Sequence, residues 1–326
     1  MADIILDIND LHINYYTPEG IVRAVRGVSL NLCKGESLCI VGESGSGKST
    51  IGLAIIRALP PNALIVKGEI YYNGMDILKL SEEEMTRNIR GKEISIVFQD
   101  PVAMFNPLFT IGEILSDVIL THLGLKDKRK VYEYGIKMLK LVELPDPERI
   151  YNSYPHELSG GMLQRAAIAI AISANPKVLI ADEPTTMLDV TIQAQILDLL
   201  KKLKKEFSLS MIFITHNLGV AAEICDRIAV MYAGSLFEEG YIEDILMNPI
   251  HPYTKKLLEC IPRASKRSLK LKYIPGSLPD LKTSILGCPF APRCDFAMDI
   301  CEKQLPSISE VSYKHRVSCH LSLAKR

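Results

Sequence analysis

The chain has 326 residues, 48% of them apolar, and its 38 Lys plus Arg balance 38 Asp plus Glu to a formal net charge of zero. That length and apolar content supply a sizeable core for one large domain, or one domain and an appendage, and exclude a disordered chain. The charge balance leaves no basic footprint for nucleic acid, and no apolar run, Ala166–Ala174 among the longest, approaches the roughly 18 residues of a membrane span.

The opening residues MADIILDIND show no basic region and no cleavage site, so no secretory signal is expected. The chain is read as cytosolic, reaching a membrane only through another subunit. Residues 4–32 predict short strands with a turn at Thr17-Pro18-Glu19-Gly20. A buried strand over Ser37–Val41 then enters a Gly-rich loop, and a helix begins near Lys48. A β pair follows around Gly68–Tyr72, with its turn at Asn73-Gly74. Helical periodicity dominates from about Phe109 to Ala174, the pattern of an inserted α-subdomain. Apolar runs at Lys177–Ala181 and Met211–Thr215 read as buried parallel strands. Strands alternating with helices predict a parallel sheet with helices on its faces. Arg263–Lys272, basic and poor in large apolar residues, reads as a linker to a Pro- and Cys-rich tail. That tail is expected to bury little and to need a staple.

Residues Gly42 to Thr50, GESGSGKST, match G-x-x-x-x-G-K-[ST] between a strand and a helix. The chemistry is anion binding, because successive N–H groups converge on phosphate and the helix adds its positive dipole end. Gly42, Ser44, Gly45, Ser46, Gly47 and Thr50 are the candidate cradle for ATP. Lys48 is expected to reach the β- and γ-phosphates, and Ser49 to offer its hydroxyl to Mg²⁺. A plain Gly-rich turn is the alternative, and the flanking strand and helix weigh against it. Downstream, KVLIADEP ends an apolar strand in Asp182, a candidate Mg²⁺ ligand through water, and Glu183, a candidate to orient and activate the attacking water. Two acids at a strand end are commonplace alone; their order after the phosphate loop singles them out.

Leu158-Ser159-Gly160-Gly161-Met162 resembles the signature motif of ABC ATPases and lies just before the strand carrying Asp182, as in that family. Ser159, Gly160 and Gly161 would form a backbone nest at a helix start, able to bind a γ-phosphate. In ABC ATPases that phosphate belongs to the opposite subunit, so the resemblance implies a dimer around two nucleotides. It also matches Gln99, after the strand ISIVF, to the glutamine that senses Mg²⁺ and the γ-phosphate and links to the transmembrane partner. Asp189 corresponds to the D-loop, and His216 to the switch histidine that contacts γ-phosphate. Tyr15 corresponds to the aromatic residue that stacks on adenine, with adjacent Tyr16 the alternative, since strand alternation lets one of the two face the nucleotide.

Longer runs narrow the family. QDPVAMFNPLFTIG from Gln99, YPHELSGG from Tyr154, IADEPTTMLDV from Ile180, HPYTKKLL from His251 and GCPFAPRC from Gly287 are similar to D-type ATP-binding subunits of dipeptide and oligopeptide importers. Met187 and Leu163 depart, standing where that subfamily often has a small and a polar residue. The resemblance covers essentially the whole chain and implies an α/β fold: a P-loop ABC ATPase core with an N-terminal antiparallel β-subdomain, a helical subdomain at about 105–175, and a small Cys-rich C-terminal extension. The implied boundaries are 1–262 and 263–326. It further implies ATP binding and hydrolysis, with Mg²⁺, to drive peptide uptake from the cytoplasmic face of the membrane. The implied partners are a second, non-identical ATPase subunit, two transmembrane permeases and, indirectly, an extracytoplasmic peptide-binding protein, with no nucleic acid.

Of 8 cysteines, Cys33, Cys39, Cys225 and Cys260 are scattered, whereas Cys288-x₅-Cys294-x₆-Cys301-x₁₇-Cys319 crowd the tail. In a reducing compartment such a cluster points to ligation before disulfides. The spacing fits neither the short pairs of zinc modules nor bacterial ferredoxins, so it selects no metal. The family resemblance points to a [4Fe–4S] cluster, with zinc the runner-up and unligated thiols the plain alternative. His315 and His320 flank the last cysteine and are the substitutes if it is not a ligand. Two other functions compete. A soluble ABC ATPase of DNA repair or translation typically fuses two cassettes or inserts coiled coils or basic arms, which this sequence lacks. A catalytically dead regulatory subunit is opposed by intact Lys48, Asp182, Glu183 and His216.

Overall fold

The computed structural model describes residues 3–261 and 273–324, so the linker expected at Arg263–Lys272 lies outside the described residues. The chain forms two compact units, Met1–Leu78 with Phe213–Arg326, and Lys79–Ile212. Among the described residues no helix is long and apolar enough to cross a membrane.

The first unit opens with β1 (Ile4–Thr17) and β2 (Gly20–Cys33), antiparallel strands of 14 residues each that turn at Pro18-Glu19. The short strands read from the sequence are thus two long ones. Register shifts on both sides of Leu11, with Asp10 at φ 46°, absorb the breaks in alternation that made them look interrupted. β3 (Ser37–Val41) is buried at every position and leads to the helix Lys48–Ile55. β4 (Ala63–Tyr72) pairs with β1 and turns at Asn73-Gly74 into β5 (Met75–Asp76), for a strand order β2-β1-β4-β5.

In the second unit, β6 (Ile94–Val97) pairs in parallel with β7 (Val178–Asp182). The stretch with helical periodicity holds the helices Ile111–Leu123, Lys128–Leu141, Pro147–Tyr151 and Gly160–Ile172. Local signals start them: Thr110 and Glu113 form a capping box, and Asp127 and Ser159 accept from N–H groups of their first turns. Leu163 is buried in the last of these helices, where a polar side chain would need a partner, while Met187 stands 68% exposed. Helix Val190–Phe207 buries Ile196, Leu199, Leu200 and Leu203, one stripe at helical spacing. The chain returns to the first unit along β8 (Ser210–Thr215).

β9 (Arg227–Tyr232) and β10 (Ser235–Tyr241) then form a hairpin, with β3 parallel to β9. The tail supplies a second hairpin, β11 (Ile308–Ser312) and β12 (His315–Ser318), whose β12 pairs Val317 with Glu238 and Arg316 with Glu239 of β10. The order in this unit runs β11-β12-β10-β9-β3. The tail therefore corrects the expectation that it buries little. Phe290 is fully buried, its ring centroid 5.3 Å from that of Tyr232 and 5.2 Å from that of Tyr253. Buried charges fasten the hairpin, each paired with an opposite charge. Glu238 accepts from the N–H groups of Ile250 and His251 and pairs with His315 at 2.8 Å. Arg227 bridges Glu36, at 3.0 Å, and Glu239, which also takes Arg316. Burial pushes His251 down to about 4, so its ring is neutral and Nδ1 accepts from the Tyr253 N–H at 3.0 Å.

Candidate functional site

The phosphate-loop residues lie between β3 and the helix Lys48–Ile55, where a buried strand delivers backbone N–H groups to a helix start. The loop is packed too closely for side chains at two of its glycines. A Cβ on Gly42 would stand 2.1 Å from the Met231 carbonyl oxygen, and one on Gly47, at φ 94°, 2.3 Å from that of Ala24. Lys48 is buried and donates from Nζ to the carbonyls of Gly42 and Glu43, each at 2.9 Å. These carbonyls preorganise the ammonium and can be exchanged for phosphate oxygens. The Ser46 hydroxyl is buried without a hydrogen-bond partner among the described residues, an orphaned group that an oxyanion would satisfy. Ser44 and Gly45 are exposed on the rim, and Ser49 is half-buried in the first turn. The loop thus fits a polyphosphate. Tyr15, paired across β1 with Val22 and Ala63, bonds through its hydroxyl to Thr50 Oγ1 at 3.2 Å, while Tyr16 is 43% exposed. Of the two tyrosines, Tyr15 is the one tied to this loop and helix.

In the second unit, fully buried β7 ends in Asp182, itself buried, and passes to Glu183 at φ 44°, a backbone conformation that side chains seldom adopt. Gln99, just beyond β6, donates from Nε2 to Glu183 Oε2 at 3.1 Å, and Thr186 Oγ1 donates to the same oxygen at 2.9 Å. The parallel pairing of β6 and β7 is what brings Gln99 and Glu183 together. Two donors on one carboxylate oxygen fix the orientation of the carboxylate, as a positioned base requires. Thr186 lies in the run IADEPTTMLDV, where sequence alone assigns it no role. Its signal is a hydroxyl three residues after an acid in a turn, whose N–H also bonds the Glu183 carbonyl at 3.2 Å.

Ser159 caps the helix Gly160–Ile172, its hydroxyl accepting from the Met162 N–H at 3.4 Å, and Ser159 and Gly160 are exposed at that helix start. Asp189 caps the helix Val190–Phe207, accepting from the N–H groups of Thr191 and Ile192 at 3.0 Å each. His216 follows β8 and is exposed, and Asn217 caps the helix Leu218–Ile224 beside it.

Cys288, Cys294, Cys301 and Cys319 line one small pocket together with Phe290 and His320. The four cysteines share this pocket, yet among the described residues no group of three or more His, Cys, Asp or Glu is placed to hold a metal ion. The expected [4Fe–4S] or zinc centre finds no support in that geometry. Burial pushes the Cys288 thiol up to about 12 and raises Cys294 and Cys319, while backbone N–H groups of Phe290, Phe296, Leu321 and Ser322 oppose the rise. Of the histidines considered as substitutes, His315 is occupied by Glu238 and His320 Nε2 bonds the Gln304 carbonyl at 2.9 Å.

Comparison with known proteins places the chain in a family. A family profile described as ABC transporter matches residues 25–186, and one described as oligopeptide/dipeptide transporter, C-terminal region, matches 237–301. The dipeptide transport ATP-binding protein DppD of Bacillus subtilis is 46% identical, covering 97% of this chain and 94% of its own. The oligopeptide transport ATP-binding protein OppD of the same organism is 48% identical over 97% of this chain and 88% of its own. OppD of Salmonella typhimurium is 46% identical over 94% and 90%. Among solved structures, a dimeric ATP-binding cassette in a post-hydrolysis state with ADP and Pi is 32% identical, with a TM-score of 0.65, over 73% of this chain and 98% of that one.

Proposed function

Since this chain belongs to the ABC transporter family, among the ATP-binding subunits of its oligopeptide and dipeptide branch, we propose that it hydrolyses ATP to drive peptide uptake. The observation that carries this reading is the Glu183 carboxylate at the end of β7, aimed by Gln99 and Thr186 as a base for water. Gly42–Thr50 cradles the phosphates, and Lys48 exchanges the carbonyls of Gly42 and Glu43 for β- and γ-phosphate oxygens. Ser49, Gln99 and Asp182 are the residues that would hold Mg²⁺, which would supply neutralisation of charge on the phosphoryl oxygens. His216 contacts the γ-phosphate and Tyr15 stacks on adenine. Ser159, Gly160 and Gly161 meet the ATP of a partner cassette. Residues 1–262 act as the ATPase domain and 263–326 as the C-terminal domain.

The subunit works at the cytoplasmic face of the membrane, beside a non-identical second ATPase and beneath two permeases, with the peptide captured by an extracytoplasmic protein. The test is purification of the tagged chain from native membranes in mild detergent. Two integral membrane subunits and a second ATPase are expected with it, and ATP turnover should rise with peptide-loaded binding protein. A chain that leaves the membrane fraction alone, with turnover stimulated by nucleic acid, overturns this reading and revives the repair or translation alternative. The C-terminal profile match, characteristic of oligopeptide and dipeptide transporters, disfavours that alternative.

The four tail thiols are read as ligands of an iron–sulfur cluster, [4Fe–4S] before zinc. The reading rests on the family resemblance; the structure adds only that the four residues line one pocket, without the geometry of a metal site among the described residues. Protein purified without oxygen should be brown and carry iron, and Cys301→Ser should lose both. Stoichiometric zinc without iron leaves a four-thiol site with a different metal; neither metal leaves four plain thiols.

A further inference from the structure

Two sequence runs that the ATP chemistry does not use, HPYTKKLL and GCPFAPRC, meet at the phosphate loop. Glu43, the acid in GESGSGKST, is held at three points. Its N–H donates to the Tyr253 hydroxyl at 3.0 Å, its carbonyl accepts from Lys48 Nζ at 2.9 Å, and its Oε2 accepts from Arg293 Nη1 at 2.9 Å. The other carboxylate oxygen, Oε1, is buried without a hydrogen-bond partner among the described residues.

Arg293 is firmly seated. Nη1 also donates to the Tyr232 hydroxyl at 3.0 Å, Nε to the Pro275 carbonyl at 2.9 Å and Nη2 to the Ile274 carbonyl at 3.1 Å. Its guanidinium lies 5.6 Å from the Tyr232 ring centroid and 5.9 Å from that of Phe290, and the side chain is 7% exposed. The rings and the two carbonyls are enough to anchor the tail. They do not account for Glu43, a carboxylate in a loop whose backbone is built to receive anions. An uncancelled negative charge there repels a polyphosphate, and partial burial weakens the screening of that repulsion. Arg293 cancels that charge. By gripping Oε2 it also fixes the residue whose carbonyl Lys48 holds.

We propose that Arg293 is a positioning residue for nucleotide binding: acting through Glu43, it sets the phosphate loop and neutralises the loop's acid, so the Cys-rich tail supports the ATP site. This rests on the reading of Gly42–Thr50 as the nucleotide loop. A contact that merely fastened the tail would behave differently, lowering the melting temperature and the active fraction without moving KM for ATP.

The experiment compares ATPase kinetics and melting of the full chain, in its membrane complex, for Arg293→Met, Arg293→Lys, Arg293→Met with Glu43→Gln, and Lys48→Ala. Arg293→Met is expected to raise KM for ATP about tenfold with kcat within about twofold, because one half of a charge-assisted hydrogen bond is left behind. Adding Glu43→Gln should bring KM back to within about threefold of the parent, since no uncancelled acid remains. Arg293→Lys keeps the charge but not the fork and should fall between. An unchanged KM for Arg293→Met overturns the proposal, and so does a double variant as impaired as the single one. If Arg293→Met does not fold, Arg293→Lys decides by the same test of a raised KM and its rescue by Glu43→Gln. Lys48→Ala separates the two readings. Normal ATP binding by that variant removes the nucleotide loop itself, whereas its loss alongside a normal Arg293→Met removes the positioning role alone.

Discussion

Glu183→Gln should keep ATP binding and slow hydrolysis by about 10²–10⁴, the usual contribution of a positioned general base. The substitution keeps the contacts of Gln99 and Thr186, because both side chains donate to Oε2. An amide oxygen in that place still accepts from Gln99 Nε2 and Thr186 Oγ1. The backbone, already at φ 44°, is not asked to change. What disappears is the capacity to accept a proton from water, which an amide at neutral pH lacks. Binding therefore proceeds and chemistry stops, and ATP should accumulate in a closed dimer seen as an earlier peak on gel filtration. Near-normal turnover by a folded Glu183→Gln chain would remove Glu183 from its role as base.

Gly47→Ala should both destabilise the first unit and abolish ATP binding. The left-handed backbone at φ 94° costs a side chain about 1–2 kcal/mol by itself. The added Cβ would lie 2.3 Å from the carbonyl oxygen of Ala24, a backbone atom of β2 that cannot rotate away. Relieving that contact moves the loop or the strand, so the total should reach about 3 kcal/mol or more, in the range reserved for a named structural conflict. Gly35→Ala is the control. It shares a positive φ, 71°, but has nothing within 4 Å of its Cβ, so it should show only the backbone cost and leave ATP affinity intact. Denaturant midpoints and titration with a fluorescent nucleotide measure both effects. Equal losses for the two alanines would mean that close packing against Ala24 is not what holds the loop.

The contrast between these residues marks what could be read before folding. The phosphate loop, the strand ending in Asp182 and Glu183, and the capped helix start at Ser159 were legible because each is a local device. Their requirements are backbone angles, N–H groups and a helix end, all specified within about ten residues of chain. The same holds for the turn at Asn73-Gly74 and the apolar stripe of Val190–Phe207. The chain's family followed from such runs, since their order along the sequence is itself information.

Partnerships across long separations belonged to the tertiary structure. Gln99 and Thr186 meet on one oxygen of Glu183 because β6 and β7 lie side by side, 84 positions apart at the hydrogen bond itself. That Tyr15 reaches Thr50 while Tyr16 stands exposed is a matter of register through a strand whose bulges hide its alternation. The tail looked too poor in apolar residues to order itself, and by its own content it is. Its order comes from Phe290 entering the rings of Tyr232 and Tyr253, and from β12 extending β10. Arg293 finds Glu43 across 250 positions for the same reason. A sequence window specifies the groups it contains, but burial decides which distant groups must satisfy one another, because a desolvated charge or ring is stable only where the completed fold supplies its partner.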